Sequence, residues 1–174
     1  MKNLNLENIE EAKDFDRVQP GGYVCGITAV EDVVRKEYLK LEYDIADGPF
    51  KNYYRNLYNS KGFWAGNFIR SYKDAALPFF KAFITSIENS NSGYHWNSDE
   101  KTLVRKFIGL VLAEEEYKAN DGSIKTRLYV AKVTSVDKIR KGDFKIPALK
   151  KISELASTAS TAEDNISGDD GVPF

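Results

Sequence analysis

Tyr38-Leu39-Lys40-Leu41-Glu42-Tyr43-Asp44-Ile45 alternates apolar and charged side chains almost without a break. Leu39, Leu41, Tyr43 and Ile45 fall on one side of an extended chain, and Lys40, Glu42 and Asp44 on the other. That period of two marks a strand with one face in the core and one in water. Moving outward, Gln19-Pro20-Gly21-Gly22 is a turn signal, and Tyr23-Val24-Cys25-Gly26-Ile27-Thr28-Ala29-Val30 reads as the preceding strand. The charged residues Glu31, Asp32, Arg35, Lys36 and Glu37 surround the link between the two. On the other side Asp47-Gly48-Pro49 is a turn, and Tyr53 to Tyr58 is expected to form a third strand. A three-stranded meander follows.

The period changes after residue 62. Phe63, Trp64, Phe68, Ile69, Tyr72, Ala75 and Ala76 fall near helical spacing. Pro78 interrupts, and Phe79, Phe80, Phe83, Ile84 and Ile87 form a second apolar stripe. Two short helices separated at Pro78 are expected. Asn89 to Ser98 is a polar loop. Lys106 to Tyr117 returns to strand, Asn120-Asp121-Gly122 is a hairpin turn, and Arg127 to Val136 is the last strand. A short amphipathic helix, Ala148 to Ala156, follows Pro147. Five strands with helix between the third and fourth is the element order of an OB-fold barrel, so a mainly β, five-stranded barrel with a helical insertion is expected. An SH3-like barrel or an open α+β sheet satisfies the same order.

Length and composition narrow the function. The 174 residues suit one domain, and 42% hydrophobic with 13% aromatic content can fill a core. The lone cysteine, Cys25, rules out an internal disulfide and a cysteine-rich zinc site. No apolar run reaches the roughly 18 residues of a membrane span. The opening MKNLNLENIEEAKDFD is acidic and unlike a secretory signal, so a cytoplasmic protein without a membrane partner is expected. The formal charge of −1 divides unevenly. Residues 1–17, an N-terminal arm, carry −2; residues 18–152, the folded body, carry 22 basic and 16 acidic side chains, or +6; residues 153–174 carry −5 and no cation. Small, polar and acidic from Ser157 onward, the tail is expected to be disordered.

Catalytic signals are sparse. A nucleophile needs an oriented base; the one histidine, His95, sits in the polar loop, and Cys25 sits in an expected strand where structural cysteine is ordinary. A Mg²⁺-dependent nuclease is the alternative reading, with Glu114 and Glu116 as metal ligands and Lys118 assisting. With 13 Glu and 18 Lys, a Glu-x-Lys triplet arises by chance. Gly21-Gly22 precedes a strand without a following Lys-Ser/Thr, so no phosphate-cradling loop is present. No cofactor and no metal are expected, and the chain is read as a non-enzyme.

Aromatics interleaved with cations point instead to an unpaired nucleic-acid strand. Phosphates call for Lys or Arg, and bases stack on aromatic faces whatever their identity. The segment from Phe50 to Trp64 is densest, and Lys51, Tyr53, Arg55 and Tyr58 are expected to form the main face. Tyr94 and Trp96 in the loop, with Arg105, Lys106, Lys125, Arg127 and Tyr129 around the last hairpin, extend it. Phe63, Trp64, Phe79, Phe80 and Phe83 are read as core. On a strand Tyr53 and Arg55 share a face while Tyr58 falls on the other unless the strand bulges.

The chain ends Asp169-Asp170-Gly171-Val172-Pro173-Phe174 behind a Ser/Thr/Ala spacer. This closely resembles the acidic tip of bacterial single-stranded DNA-binding proteins, Asp-Asp-Asp-Ile-Pro-Phe, with Gly171 for one Asp and Val172 for Ile. A terminal Phe174 suits an apolar pocket on a partner, while Asp169, Asp170 and the chain-end carboxylate meet basic residues; Pro173 limits the freedom lost on docking. Within the body, YLKLEYDIADGPFKNYYRNLY (38–58) and KFIGLVLAEEEYKANDGSIKTRLYVAKVTSVDKIRKGDFKIP (106–147) resemble a family of phage and prophage proteins of Gram-positive bacteria regarded as OB-fold single-stranded DNA binders. The resemblance spans about residues 18–150. It implies a protein of the bacterial host cytoplasm that protects phage single strands during replication or recombination, with the tail recruiting replication or recombination proteins. Edge strands and the Phe/Tyr excess leave room for a homodimer.

Overall fold

The structure is a computed structural model and describes residues 17–153. Five strands form one antiparallel sheet: β1 (Gly21–Val33), β2 (Tyr38–Ile45), β3 (Asn67–Ser71), β4 (Phe107–Lys118) and β5 (Ile124–Thr134), in the spatial order β3-β2-β1-β4-β5. Helices α1 (Tyr53–Lys61), α2 (Leu77–Ser90) and α3 (Val136–Arg140) complete it. The expected N-terminal arm and acidic tail, including Asp169, Asp170, Val172, Pro173 and Phe174, lie outside the described residues.

The stretch 38–45 is a strand as its alternation requires, with Leu39, Leu41, Tyr43 and Ile45 in the core. β1 is longer than expected and shared between two hairpins. Its first half, Gly21 to Gly26, pairs with Leu112 to Phe107 of β4, while Cys25 to Val33 pairs with β2 through a register shift between Ile27 and Ala29. Adjacent residues Val24 and Cys25 are both buried because both faces are covered. Cys25, Ile27, Ile108, Leu110 and Leu112 join the main core under α2, which contributes Phe83, Ile84 and Ile87. Val24 and Val111 meet Val136, Ile139 and Phe144 in a smaller core on the opposite face. Removing each such side chain from water contributes about 1.5–3 kcal/mol.

Between β2 and β4 the elements differ from expectation. Tyr53 to Tyr58 is helix, not strand. The buried Asp44 carboxylate accepts the Tyr54 and Arg55 amides at 3.0 and 3.2 Å, satisfying donors that a first helical turn otherwise orphans. At the other end Gly62, with φ of 79°, donates to the Tyr58 carbonyl at 2.8 Å and stops the helix. The third strand lies instead at Asn67–Ser71, inside the segment expected to be helical. Phe68 opposite Leu41 and Arg70 opposite Leu39 face the core, and Asn67, Ile69 and Ser71 face away. Pro78 does not interrupt a helix but sits in the first turn of α2, where its missing N–H costs nothing.

The last hairpin forms, with ten paired positions between β4 and β5, but β5 begins at Ile124 rather than Arg127 and ends at Thr134, Val136 opening α3 instead. Of the helix expected from Ala148, only Ile152 and Ser153 are helical among the described residues. Lys150 instead forms a parallel bridge with Glu115, taking the edge of β4 that β1 has left. The Glu116 amide donates to the Lys150 carbonyl at 2.8 Å, and the Lys150 amide to the Glu114 carbonyl at 3.1 Å.

Candidate nucleic-acid interface

The residues expected to contact a strand fall into three groups on three parts of the fold. The first is on α1. Arg55 and Tyr58, three apart, share one side of the helix, so the parity conflict of a strand does not arise. Both are exposed, as is Lys51 in the preceding turn. Tyr58 is 49% exposed and its ring centre lies 6.2 Å from that of Trp64. Trp64 is half-buried, held by an indole N–H donated to the Gly66 carbonyl at 3.0 Å. Phe63 and Lys61 are exposed beside them in sequence. Phe63, read as core, is exposed just past the Gly62 helix end, whereas Trp64, also read as core, packs partly buried against the main core. Tyr53, by contrast, turns inward, its ring edge-on to Phe50 at 6.1 Å and to Tyr54 at 5.2 Å. Phe79, also read as core, is 71% exposed on α2, whereas Phe83 is buried as expected and Phe80 packs partly buried against the same core.

The second group is the loop between α2 and β4. Lys106 places its ammonium 4.6 Å from the Tyr94 ring centre, within cation–π range, and Tyr94 shares a hydrogen bond with Thr102 at 2.8 Å. Trp96 meets Phe80 edge-on at 6.4 Å, and its amide donates to Glu88 at 2.9 Å. Arg105 is exposed at the loop's end in left-handed backbone, φ 68°, pinned by its backbone N–H, which donates to the Ile27 carbonyl at 2.8 Å.

The third group lines the outward side of the β4–β5 hairpin. Lys125 makes an exposed ion pair with Asp121 at 3.7 Å, a contact worth at most about 1 kcal/mol that a phosphate can replace. Arg127 is more committed. Its Nε donates to Glu115 at 2.9 Å, and Glu115 is only 8% exposed, so losing the arginine strands a buried carboxylate. The same guanidinium lies 5.3 Å from the Tyr117 ring centre. Tyr129 is half-buried under the Lys150 ammonium at 4.2 Å. Lys150 and Tyr117 were invisible to local pattern, since the contacts join positions far apart in the chain.

Arg70 carries no sequence signal either. It faces the core side of β3 with its guanidinium 5.0 Å from the Phe68 ring centre and one N–H donated to the Ile69 carbonyl at 3.0 Å. Burial lowers it to about 10, the charged form being the one that desolvation penalises.

Of the catalytic candidates, Cys25 and His95 lie in opposite settings. Cys25 is fully buried, and burial first, then the nearby Asp44 carboxylate, pushes its thiol far above the ordinary range. His95 is exposed in the loop. Glu116 accepts the Ile152 amide at 3.1 Å, and Glu115 between the two candidate ligands is paired with Arg127. Among the described residues no three acidic, histidine or cysteine side chains group closely enough to hold a metal ion. No helix of the described residues is long and apolar enough to cross a membrane. No protein-family model matches the chain, and no curated protein matches it.

Proposed function

We propose that this chain binds single-stranded DNA with little dependence on sequence, and that its C-terminal tip recruits proteins of replication or recombination. The observation that carries the reading is the exposed end of α1, where Tyr58 leans on Trp64 with Arg55 on the same side of the helix. Rings supply stacking surface for bases and the cations meet phosphates, a combination indifferent to base identity. The strand order supports an OB-type barrel: β4 lies beside β1, α2 falls between β3 and β4, and pairing of β3 with β5 is what full closure would add. The acidic tip and the resemblance of residues 18–150 to phage single-strand binders supply the biological setting, a bacterial host cytoplasm.

Fluorescence anisotropy of labelled oligo-dT against the full chain, at two salt concentrations and with Mg²⁺ or EDTA, tests it. Binding that weakens with salt, leaves the oligonucleotide intact and ignores EDTA is expected. Unchanged anisotropy would discard the strand-binding reading, and Mg²⁺-dependent shortening would turn attention to Glu114, Glu116 and Lys118.

A further inference from the structure

Away from these groups, α2 and the junction of β5 with α3 border an open groove of about 370 Å³. Lys81, Thr85, Ser86 and Asn89 of α2 form one wall, and Thr134 and Lys138 stand opposite. On α2 these residues occupy the side away from the buried Phe83, Ile84 and Ile87, and being small or polar they leave the groove unfilled.

The chemistry of the lining is one-sided. It holds two lysines and no carboxylate. The nearest acids in sequence are turned elsewhere: Glu88 accepts the Trp96 amide at 2.9 Å, and Asp137 pairs with Lys141 at 2.6 Å. Lys81 and Lys138 form no ion pair among the described residues. Thr134 is 5% exposed as a residue, but its hydroxyl oxygen is not sealed from solvent and hydrogen-bonds to none of the described residues. That hydroxyl borders the same opening as the two lysines. Two point charges flanked by hydroxyl and amide donors complement an oxyanion.

We infer that this groove is a second phosphate track, holding backbone phosphodiesters of a single strand. The inference rests on the strand-binding reading above for its source of phosphate, although a free polyphosphate would meet the same donors. Two measurements on the full chain separate the cases. The first is the salt dependence of oligo-dT affinity in the wild type and in Lys81→Gln/Lys138→Gln. Each phosphate contact on a single strand contributes about 0.7 to the log–log slope, so the double variant is expected to be shallower by about 1.4. The second is the amide spectrum of ¹⁵N-labelled protein titrated with inorganic tripolyphosphate, expected to shift the resonances of residues 81–89 and 134–138 in the wild type and not in the variant. A variant that binds oligo-dT with the wild-type slope overturns the phosphate track, even if tripolyphosphate moves those resonances. If the wild type fails to bind oligo-dT, the strand-binding reading falls by itself. Tripolyphosphate shifts at the groove would then uphold its oxyanion chemistry, and their absence would sink it.

Discussion

Two tyrosines five residues apart illustrate how little residue type says about role. Tyr53 packs edge-on between Phe50 and Tyr54, and Tyr58 stands in solvent beside Trp64. Tyr58→Ala is therefore expected to weaken oligo-dT binding by about 1–3 kcal/mol, the worth of one stacked base, with the urea midpoint unchanged. Tyr53→Ala should instead cost about 2 kcal/mol or more of stability, as lost core packing does. Equal losses of binding from both, without a change in stability, would return Tyr53 to the interface. The cations and aromatics of the segment are legible in the sequence, but its strand-favouring residue types mask the helical spacing that turns Tyr53 toward Phe50 and Tyr54. Arg127 shows the converse limit. Its charge was visible at once, while its commitment to Glu115 depends on the register of β4 with β5, which no local pattern encodes.

At the scale of elements, the order of strands was readable and the position of one was not. Phe50, Tyr53, Tyr54, Leu57 and Tyr58 follow i, i+3, i+4, i+7, i+8, a helical spacing masked by residue types that favour strands. The cap that decides the matter, Asp44, precedes the helix by nine residues and belongs to β2. With α1 in place, Gly66 becomes the hinge on which β3 enters the sheet. A Cβ there would meet the Tyr43 carbonyl oxygen and lie 2.8 Å from the Tyr54 ring, backbone and core that have no room to yield. Gly66→Ala is expected to lower stability by about 1–3 kcal/mol in urea denaturation, whereas Gly26→Ala, with open space around its Cβ, should be close to neutral. A wild-type midpoint for Gly66→Ala would mean that the link between α1 and β3 can shift to make room.

Across the whole molecule, aromatic rings run in edge or tilted contact from Tyr23 through Phe50, Tyr53, Tyr54, Tyr43, Phe68, Phe83 and Phe80 to Trp96. Two phenols of that chain, Tyr43 and Tyr54, share a hydrogen bond at 3.3 Å, and burial, the largest influence on each, raises both above the ordinary 10.0. They stay neutral in the folded protein but ionise near 10 once unfolded, so their contribution to stability is complete below that pH and is lost as pH rises above it. The urea midpoint should be flat from pH 8 to 9 and fall beyond pH 10, and Tyr54→Phe should blunt the fall; a midpoint indifferent to pH up to 11 would show that these rings are not sealed from water. The sharing of β1 between two hairpins has a further consequence during synthesis. Gly26 pairs with Phe107, so after Ile45 completes the β1–β2 hairpin the ribosome must still deliver the 62 residues 46–107. At about 5–20 residues per second that wait lasts roughly 3–12 s, during which the Gly21–Gly26 edge of the nascent chain is open to any neighbouring strand.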